Sequence, residues 1–361
     1  MGAGFAGLAL ARALRDAPGL RVTVLERRDS LDGGGAAITL QPNGLAALDR
    51  LGVLDDVLAI SRPVSRVLQT DVRGRRLAVV RYDELRHPHP YIVGIARSDL
   101  VRVLAPDVDV RLGEEIGPGD VGSLGADVVV GADGVGSAVR EAMAPRVVDR
   151  SGPDRYVVGI CQTMPPGEPR PRMVCGRGYA NGVIPMRDGL YFWDHVTEAN
   201  AAAVEARDFA GWAEEYARRV PGGDAIAAQV GSFDRLAVLA GRTHRVKSRL
   251  SGRFVLAGDA AAAVHPHTGQ GGNLALEDAL ALAQALRARA GGGGGALDGA
   301  LAAYARARDA KARRYVPWSR FVGPSLDGAN IFWRALRASG YAWNRVPPVR
   351  RELLRVQAGL R

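Results

Sequence analysis

The chain has 361 residues, 47% apolar and 24% charged, with a formal net charge of +10. That is a globular composition with room for one large or two modest domains, and no uninterrupted apolar run approaches the ~20 residues that span a bilayer. The basic residues are nearly all arginine, Lys247 and Lys311 being the lysines, and they are scattered along the chain, so nucleic-acid binding is not expected. No charged-then-apolar targeting segment opens the sequence, which reads as that of a cytoplasmic protein. Cys161 and Cys175 make no metal-type spacing and are expected to be buried, reduced thiols.

The chain opens with Met1-Gly2-Ala3-Gly4-Phe5-Ala6-Gly7, a G-x-G-x-x-G run leading into a helix to about Arg15, and a strand from Arg21 to Leu25 then delivers Glu26. This is a dinucleotide fingerprint: Gly2, Gly4 and Gly7 let a pyrophosphate approach the helix N-terminus, and Glu26 accepts from a ribose hydroxyl. An acidic residue there repels a 2′-phosphate, so the site suits the ADP half of FAD or NAD. The fingerprint should follow a buried central strand, yet only Met1 precedes Gly2, so the first strand of the sheet is expected to be missing from this chain.

Gly33-Gly34-Gly35 and a strand from Ala36 to Leu40 come next, then Gln41-Pro42-Asn43-Gly44 opens a helix to about Leu51, with Asn43 as N-cap. Alternation from Val64 to Tyr82 around Arg73-Gly74 predicts a hairpin. His87 and His89 have no carboxylate or cysteine at metal spacing and read as surface histidines. Arg97-Ser98-Asp99-Leu100 opens a helix. Ala126 to Arg140 reads as a strand ending in Asp133-Gly134 and a helix beginning near Ser137, a polar-ligand site or a mere turn.

From Arg155 to Leu239 the character changes to strands, Tyr156 to Thr163, Met173 to Cys175, Gly182 to Pro185 and Leu190 to Val196, followed by a helix from Asp208 to Arg219. Period-2 alternation puts Tyr191, Trp193 and His195 on one face, either lining an aromatic pocket or packing in the core, with core preferred. Phe254 to Ala257 is a strand ending in Gly258-Asp259, followed by a loop with Pro266 and Gly269-Gln270-Gly271-Gly272-Asn273 and a helix to about Leu286. A carboxylate at a strand end accepts from a polyol, glycines admit a flat ligand, and the helix N-terminus favours an anion. Gly291 to Gly295 reads as a linker, Asp298 to Arg314 as a helix and the tail as helical.

The Gly2 to Glu26, Asp133-Gly134 and Gly258 to Asn273 elements, in this order, resemble the FAD-dependent aromatic hydroxylases, the group A flavoprotein monooxygenases. The resemblance extends to about Arg314. It departs at Ala262, where members often carry His, and lacks the W-x-W-x-I-P pattern of the flavin halogenases. It implies an α/β fold in which a Rossmann-like FAD-binding domain (1–154 and 246–320) carries an inserted β-sheet substrate domain (155–245), with a helical tail (321–361).

The implied activity is oxygen transfer. NADPH or NADH reduces FAD, O₂ adds at C4a, and the flavin hydroperoxide hydroxylates or epoxidises an aromatic or polyketide-like small molecule, the protein being a monomer or homodimer. The resemblance places Glu26 on the ribose, Arg97 near the phosphates and Asp259 on the ribityl chain, links Asp133 to FAD and to transient pyridine-nucleotide binding, and adds Arg27 to the cofactor contacts. Pro266, Gly269, Gly271, Gly272 and Asn273 lie against the ring, with Pro266 and His195 at the reacting centre. Two further readings are a flavin-dependent reductase of a prenyl-type double bond and a flavin-free binding protein descended from such enzymes.

Overall fold

A computed structural model describes residues 1–32, 37–164, 170–287, 294–328 and 330–361. The glycine run 33–35, Ala36 and residues 291–293 of the expected linker lie outside the described residues. Apolar residues at helical spacing drive the first helix, Phe5–Leu14, to bury Phe5, Leu8, Leu10 and Leu14. It packs against the helix Gly271–Arg287. The contact is close because Gly272 has no side chain: a Cβ there would sit 3.2 Å from the Phe5 ring.

The nucleotide-type half is a Rossmann-like α/β layer. Strand Val24–Leu25 pairs in parallel with Val110–Arg111, and Phe254–Leu256 pairs in parallel with Val129–Gly131. Among the described residues, Met1 and Gly2 stand between Val24–Leu25 and Val129–Gly131, where a central strand is expected. The Met1 ammonium donates to Val130 O (2.7 Å), Ala132 N to Met1 O (2.9 Å) and Gly2 N to Leu25 O (2.8 Å). The remainder of this space is a cavity of about 760 Å³ lined by Leu10, Leu14, Val22, Val24, Val128 and Val130 among others.

The second half is a seven-stranded sheet in the order Leu236–Ala240, Arg155–Cys161, Leu190–His195, Ala180–Pro185, Arg172–Cys175, Arg66–Thr70 and Arg76–Arg81. The predicted hairpin therefore joins this sheet, through a parallel pairing of Arg172–Val174 with Leu68–Thr70, and the sheet extends beyond residues 155–245. That pairing joins segments a hundred residues apart and leaves no local signature. Helices Glu198–Glu205, Phe209–Arg219 and Gly223–Val230 cover one face, burying Trp212 and Tyr216 against Phe192. On the other face Tyr191 and Trp193 pack with Ile184, Tyr82 and Leu354, so both belong to the core. Cys161 and Cys175 are buried free thiols.

The helix expected over 298–314 runs from Gly294 to Asp327 and is followed by helices Ile331–Trp343 and Pro347–Gln357. Among the described residues no helix is long and apolar enough to cross a membrane.

A buried ionic network ties the helix Gly271–Arg287 to the end of the strand Phe254–Leu256 and to the helix Gly294–Asp327. Asp278 Oδ2 accepts from Gly258 N (2.9 Å) and from Arg249 Nη1 (2.9 Å), while Oδ1 accepts from Arg308 Nε. Arg249 is 1% exposed and also binds Asp309 Oδ1 at 2.8 Å. Removing one member strands the others as uncompensated buried charges. Asp278→Ala should cost about 3–5 kcal/mol in chemical unfolding; a loss below about 1 kcal/mol would show the network to be peripheral.

Candidate active site

Three strand-end turns meet at the N-termini of the first helix and of Gly271–Arg287. Glu26 follows the strand Val24–Leu25 and is buried; its Oε2 accepts from Ala3 N (2.7 Å), its Oε1 from Arg28 Nε (2.8 Å) and N (3.2 Å). Burial works to raise its pKa, but Arg28 and the two amides outweigh it and hold the carboxyl below its ordinary value. Arg27 is exposed and stands outside this group; Arg28 is the arginine at the carboxylate, a one-residue difference that strand alternation alone does not settle.

The glycines are steric requirements. A Cβ on Gly7 would lie 2.0 Å from Gly2 O, and one on Gly2, whose φ is +93°, would meet Ala132 O at 2.6 Å and Asp133 Cα at 2.8 Å. Gly2 thus touches both the Glu26 strand and the Asp133 turn. A Cβ on Gly4 would point toward Arg97 Nη2 at 3.8 Å. Arg97 is the first residue of its helix, with Ala96 at the N-cap, and it lies over the Phe5 ring at 4.8 Å. Burial and Arg28 lower its pKa, while Asp259 and Glu26 oppose them, which places both carboxylates in its field.

Asp133 Oδ2 accepts from Ala138 N (2.8 Å) and Val139 N (3.3 Å), and Ser137 caps that helix, which begins where expected, at Ala138. Asp133 Oδ1 is buried with no partner among the described residues. Arg140 Nη1 donates to Ala260 O (3.0 Å), tying the Asp133-Gly134 turn to the Gly258-Asp259 turn. Asp259 is partly open to the cleft, and a Cβ on Gly271 would come within 3.8 Å of its Oδ1. Desolvation pushes its pKa up to about 6, against Arg97 and with Asp278.

Pro266 begins a single turn, Pro266–Thr268, and Gly269 follows with φ +59°. Asn273 reaches back under this loop: its Oδ1 accepts from Gln41 N (2.9 Å), and its Nδ2 donates to Thr39 O (3.0 Å) and Gly269 O (2.8 Å). Its amide is therefore spent on positioning the Gly269–Gly272 backbone. Asn43 is not an N-cap. Gln41 holds that position with Pro42 in the first turn, where its fixed φ suits the helix, and Asn43 Nδ2 donates to Gln270 Oε1 (3.0 Å) and Glu277 Oε1 (2.8 Å). His89 is buried and bonds Asp49 at 3.2 Å, a carboxylate distant in sequence, so it is not a surface histidine.

Beside Pro266 lies a cluster that sequence spacing did not reveal. His195 and Tyr156 are cross-strand partners with rings stacked at 5.0 Å. His195 Nδ1 is 3.4 Å from Asp327 Oδ1 and Nε2 3.6 Å from Asp154 Oδ1, ion-pair rather than hydrogen-bond distances. His267 Nε2 bonds Asp327 Oδ1 at 2.8 Å, and His265 Nε2 faces Asp154 Oδ2 at 3.3 Å. Burial disfavours the His195 cation, yet the two aspartates win and push its pKa up to about 9. His267 is shifted the other way, burial outweighing Asp327. The sheet, the Pro266 loop and the long helix each contribute, which is why only His195 was legible in advance.

Residues 117–319 match the FAD binding domain family model, and residues 1–52 match an NAD(P)-binding Rossmann-like domain. The chain belongs to the family of FAD-dependent monooxygenases. It is 33% identical over 325 residues to the 3-amino-4-hydroxybenzoate 2-monooxygenase of Streptomyces cremeus, covering 81% of this chain and 78% of that one. It is 28% identical over 358 residues to the aurachin C monooxygenase/isomerase of Stigmatella aurantiaca, covering 92% and 90%. Klebsiella pneumoniae HpxO complexed with FAD and uric acid shares the fold with a TM-score of 0.80 at 21% identity, covering 98% of this chain and 95% of that one. The protein is an FAD-dependent oxidoreductase with NADPH or NADH as co-substrate.

The residues present fit FAD. The first helix has no side-chain cap among the described residues, leaving amides for a pyrophosphate, and the glycines beneath it exclude side chains. Asp133 Oδ1 and, beside Gly269, Gln41 Oε1 are buried without partners, which is costly unless a ligand supplies donors.

Two outcomes follow. Gly7→Ala forces the turn open and should abolish FAD retention, read as flavin absorbance after gel filtration; full retention would contradict the turn geometry. His195 has a folded-state pKa above its unfolded value near 6.5, so its contribution, about 3 kcal/mol at most, is complete below pH 6.5 and lost as pH rises through about 9. Wild-type unfolding free energy should therefore fall over that window while His195→Gln stays flatter; parallel profiles would remove the ion pairs from the account.

Proposed function

We propose that the protein hydroxylates a small aromatic or nitrogen-heteroaromatic molecule that carries a ring hydroxyl or amino group, with FAD laid from Glu26 past Arg97 and Asp133 to Asp259. The observation that carries this reading is the juxtaposition of Asp259 and the Gly269–Gly272 loop with the His195–His267–Asp154–Asp327 cluster at the sheet. When bound, FAD accepts hydride from NAD(P)H and supplies the oxygen-transfer chemistry. The chain's own residues supply the rest. Glu26 and Asp259 accept from ribose and ribityl hydroxyls, and Arg97 balances the phosphates. The N-terminus of Gly271–Arg287 offers amides and its positive dipole end to the negative edge of the reduced ring.

The cluster suits a substrate whose ring becomes electron-rich on losing a proton. His267, kept neutral by burial, can accept that proton at a ring nitrogen, while His195 stays charged beside the two aspartates. The names of relatives point to the same class: 3-amino-4-hydroxybenzoate for the Streptomyces cremeus enzyme, and 2-methyl-3-hydroxypyridine-5-carboxylic acid for an oxygenase that matches at 26% identity and a TM-score of 0.74, over 92% of each chain.

The test is a purified, FAD-reconstituted protein assayed for NAD(P)H and O₂ consumption with a panel of hydroxy- and aminoarenes. Stimulation with an oxygenated product is expected; consumption that stays uncoupled with every member would overturn the substrate class, and reduction of a prenyl double bond without O₂ uptake would overturn oxygenation. For Asp259, ribityl hydroxyls require the ionised carboxylate, so FAD affinity should fall as pH drops through about 6. Asp259→Asn should bind FAD about 10- to 100-fold more weakly and without that pH dependence; a wild-type affinity flat from pH 5 to 8 would take Asp259 out of the site.

A further inference from the structure

The helix Ile331–Trp343 has its polarity reversed. A surface helix normally turns its apolar stripe to the core, yet none of its residues is buried, and those facing solvent are Ile331, Phe332, Ala335, Ala338, Ser339, Ala342 and Trp343. No charged residue stands among them. Ile331 is 78% exposed, Phe332 63% and Trp343 58%. The arginine Arg337 points inward instead, donating to Gly176 O (2.8 Å) and Leu326 O (2.7 Å).

The stripe continues at both ends. Phe321, 48% exposed, packs edge-on to Trp333 at 5.5 Å, and Val346 lies exposed beyond Trp343. From Ile331 to Trp343 it extends roughly 18 Å, one face of a three-turn helix. Exposed arginines frame it, Arg320 beside Phe321 and Arg345 between Trp343 and Val346. Residues 313–361 hold ten arginines against two acidic residues, Asp327 and Glu352, so this C-terminal stretch carries most of the net charge of +10. Asp327 is buried in the histidine cluster and Glu352 is paired with Arg361, which leaves the tail surface basic.

We propose that this face docks on an anionic lipid surface, the helix lying in the plane of the headgroups with Phe332 and Trp343 inserted and the arginines on lipid phosphates. An exposed apolar stripe with tryptophan and phenylalanine, flanked by arginine, matches an interfacial helix. A second copy of the chain meets the stripe less well, because a two-fold contact sets Arg320 and Arg345 against their own copies. A nucleic acid would leave the apolar stripe uncovered.

The experiment is flotation of the FAD-loaded full chain with vesicles of phosphatidylcholine containing about one third phosphatidylglycerol by mole fraction, chosen to give anionic charge, against pure phosphatidylcholine. Expected is binding to the anionic vesicles that weakens with salt, a drop of more than about tenfold for Phe332→Asp with Trp343→Asp, and about fivefold for each of Arg320→Gln and Arg345→Gln. Flavin content and turnover of a water-soluble substrate should be unchanged in all of them. No binding to the anionic vesicles overturns the proposal. So does a concentration-dependent dimer in light scattering that the Phe332 and Trp343 substitutions dissolve, since the stripe would then be covered by a second copy.

Discussion

The cleft depends on one buried carboxylate. Asp278, on the helix Gly271–Arg287, holds Gly258 N with the same oxygen that takes Arg249, and Arg308 from the long helix takes the other. Burial works against that charge, and the two arginines and the amide outweigh it, so the carboxylate stays ionised where desolvation is severe. Because Gly258 is the residue before Asp259, this grip decides where the strand Phe254–Leu256 ends and how the Asp259 carboxylate is presented. The same helix begins at Gly271 beside the Pro266–Gly272 loop, so one element sets both the Asp259 carboxylate and the positive dipole end at that loop.

Around that anchor, glycines do what side chains cannot. Gly2, Gly7 and Gly272 each stand where a Cβ would collide with backbone or with the Phe5 ring, and together they bring the first helix, the Asp133 turn and the loop helix to one place. Asn273 and Gln270 then fasten the loop to the Gln41–Asn43 segment. The histidine cluster closes the far side, with the sheet, the loop and the long helix contributing one or more residues each. Opposite shifts at His195 and His267 set a group that favours its cation beside one that favours its neutral form.

Much of the cofactor side was legible in the sequence because it is local. A strand-end carboxylate followed by glycines and a helix leaves a local signature, which the Asp133 and Gly258 to Asn273 elements carry, and Gly2 to Glu26 carries the equally local order of glycines, helix, strand and carboxylate. What the sequence hid is relational. Asp154, His265, His267 and Asp327 acquire meaning only through their approach to His195, and Asp278 reads as an ordinary helix residue until Arg249 and Arg308 are placed on it. Arg28 rather than Arg27 meets Glu26 because the chain turns immediately after the strand. Arg320 and Arg345 look unrelated along the sequence, whereas in the fold they stand at the two ends of the apolar face of a single helix.

The most direct measurement is a crystal structure of the protein grown with FAD. The account predicts the ribose at Glu26, the phosphates between the Gly2–Gly4 turn and Arg97, the ribityl hydroxyls on Asp259 and the ring against the Pro266–Gly272 loop. An FAD that binds elsewhere, or one whose ribityl chain leaves Asp259 untouched while the ring lies away from His267, would contradict it.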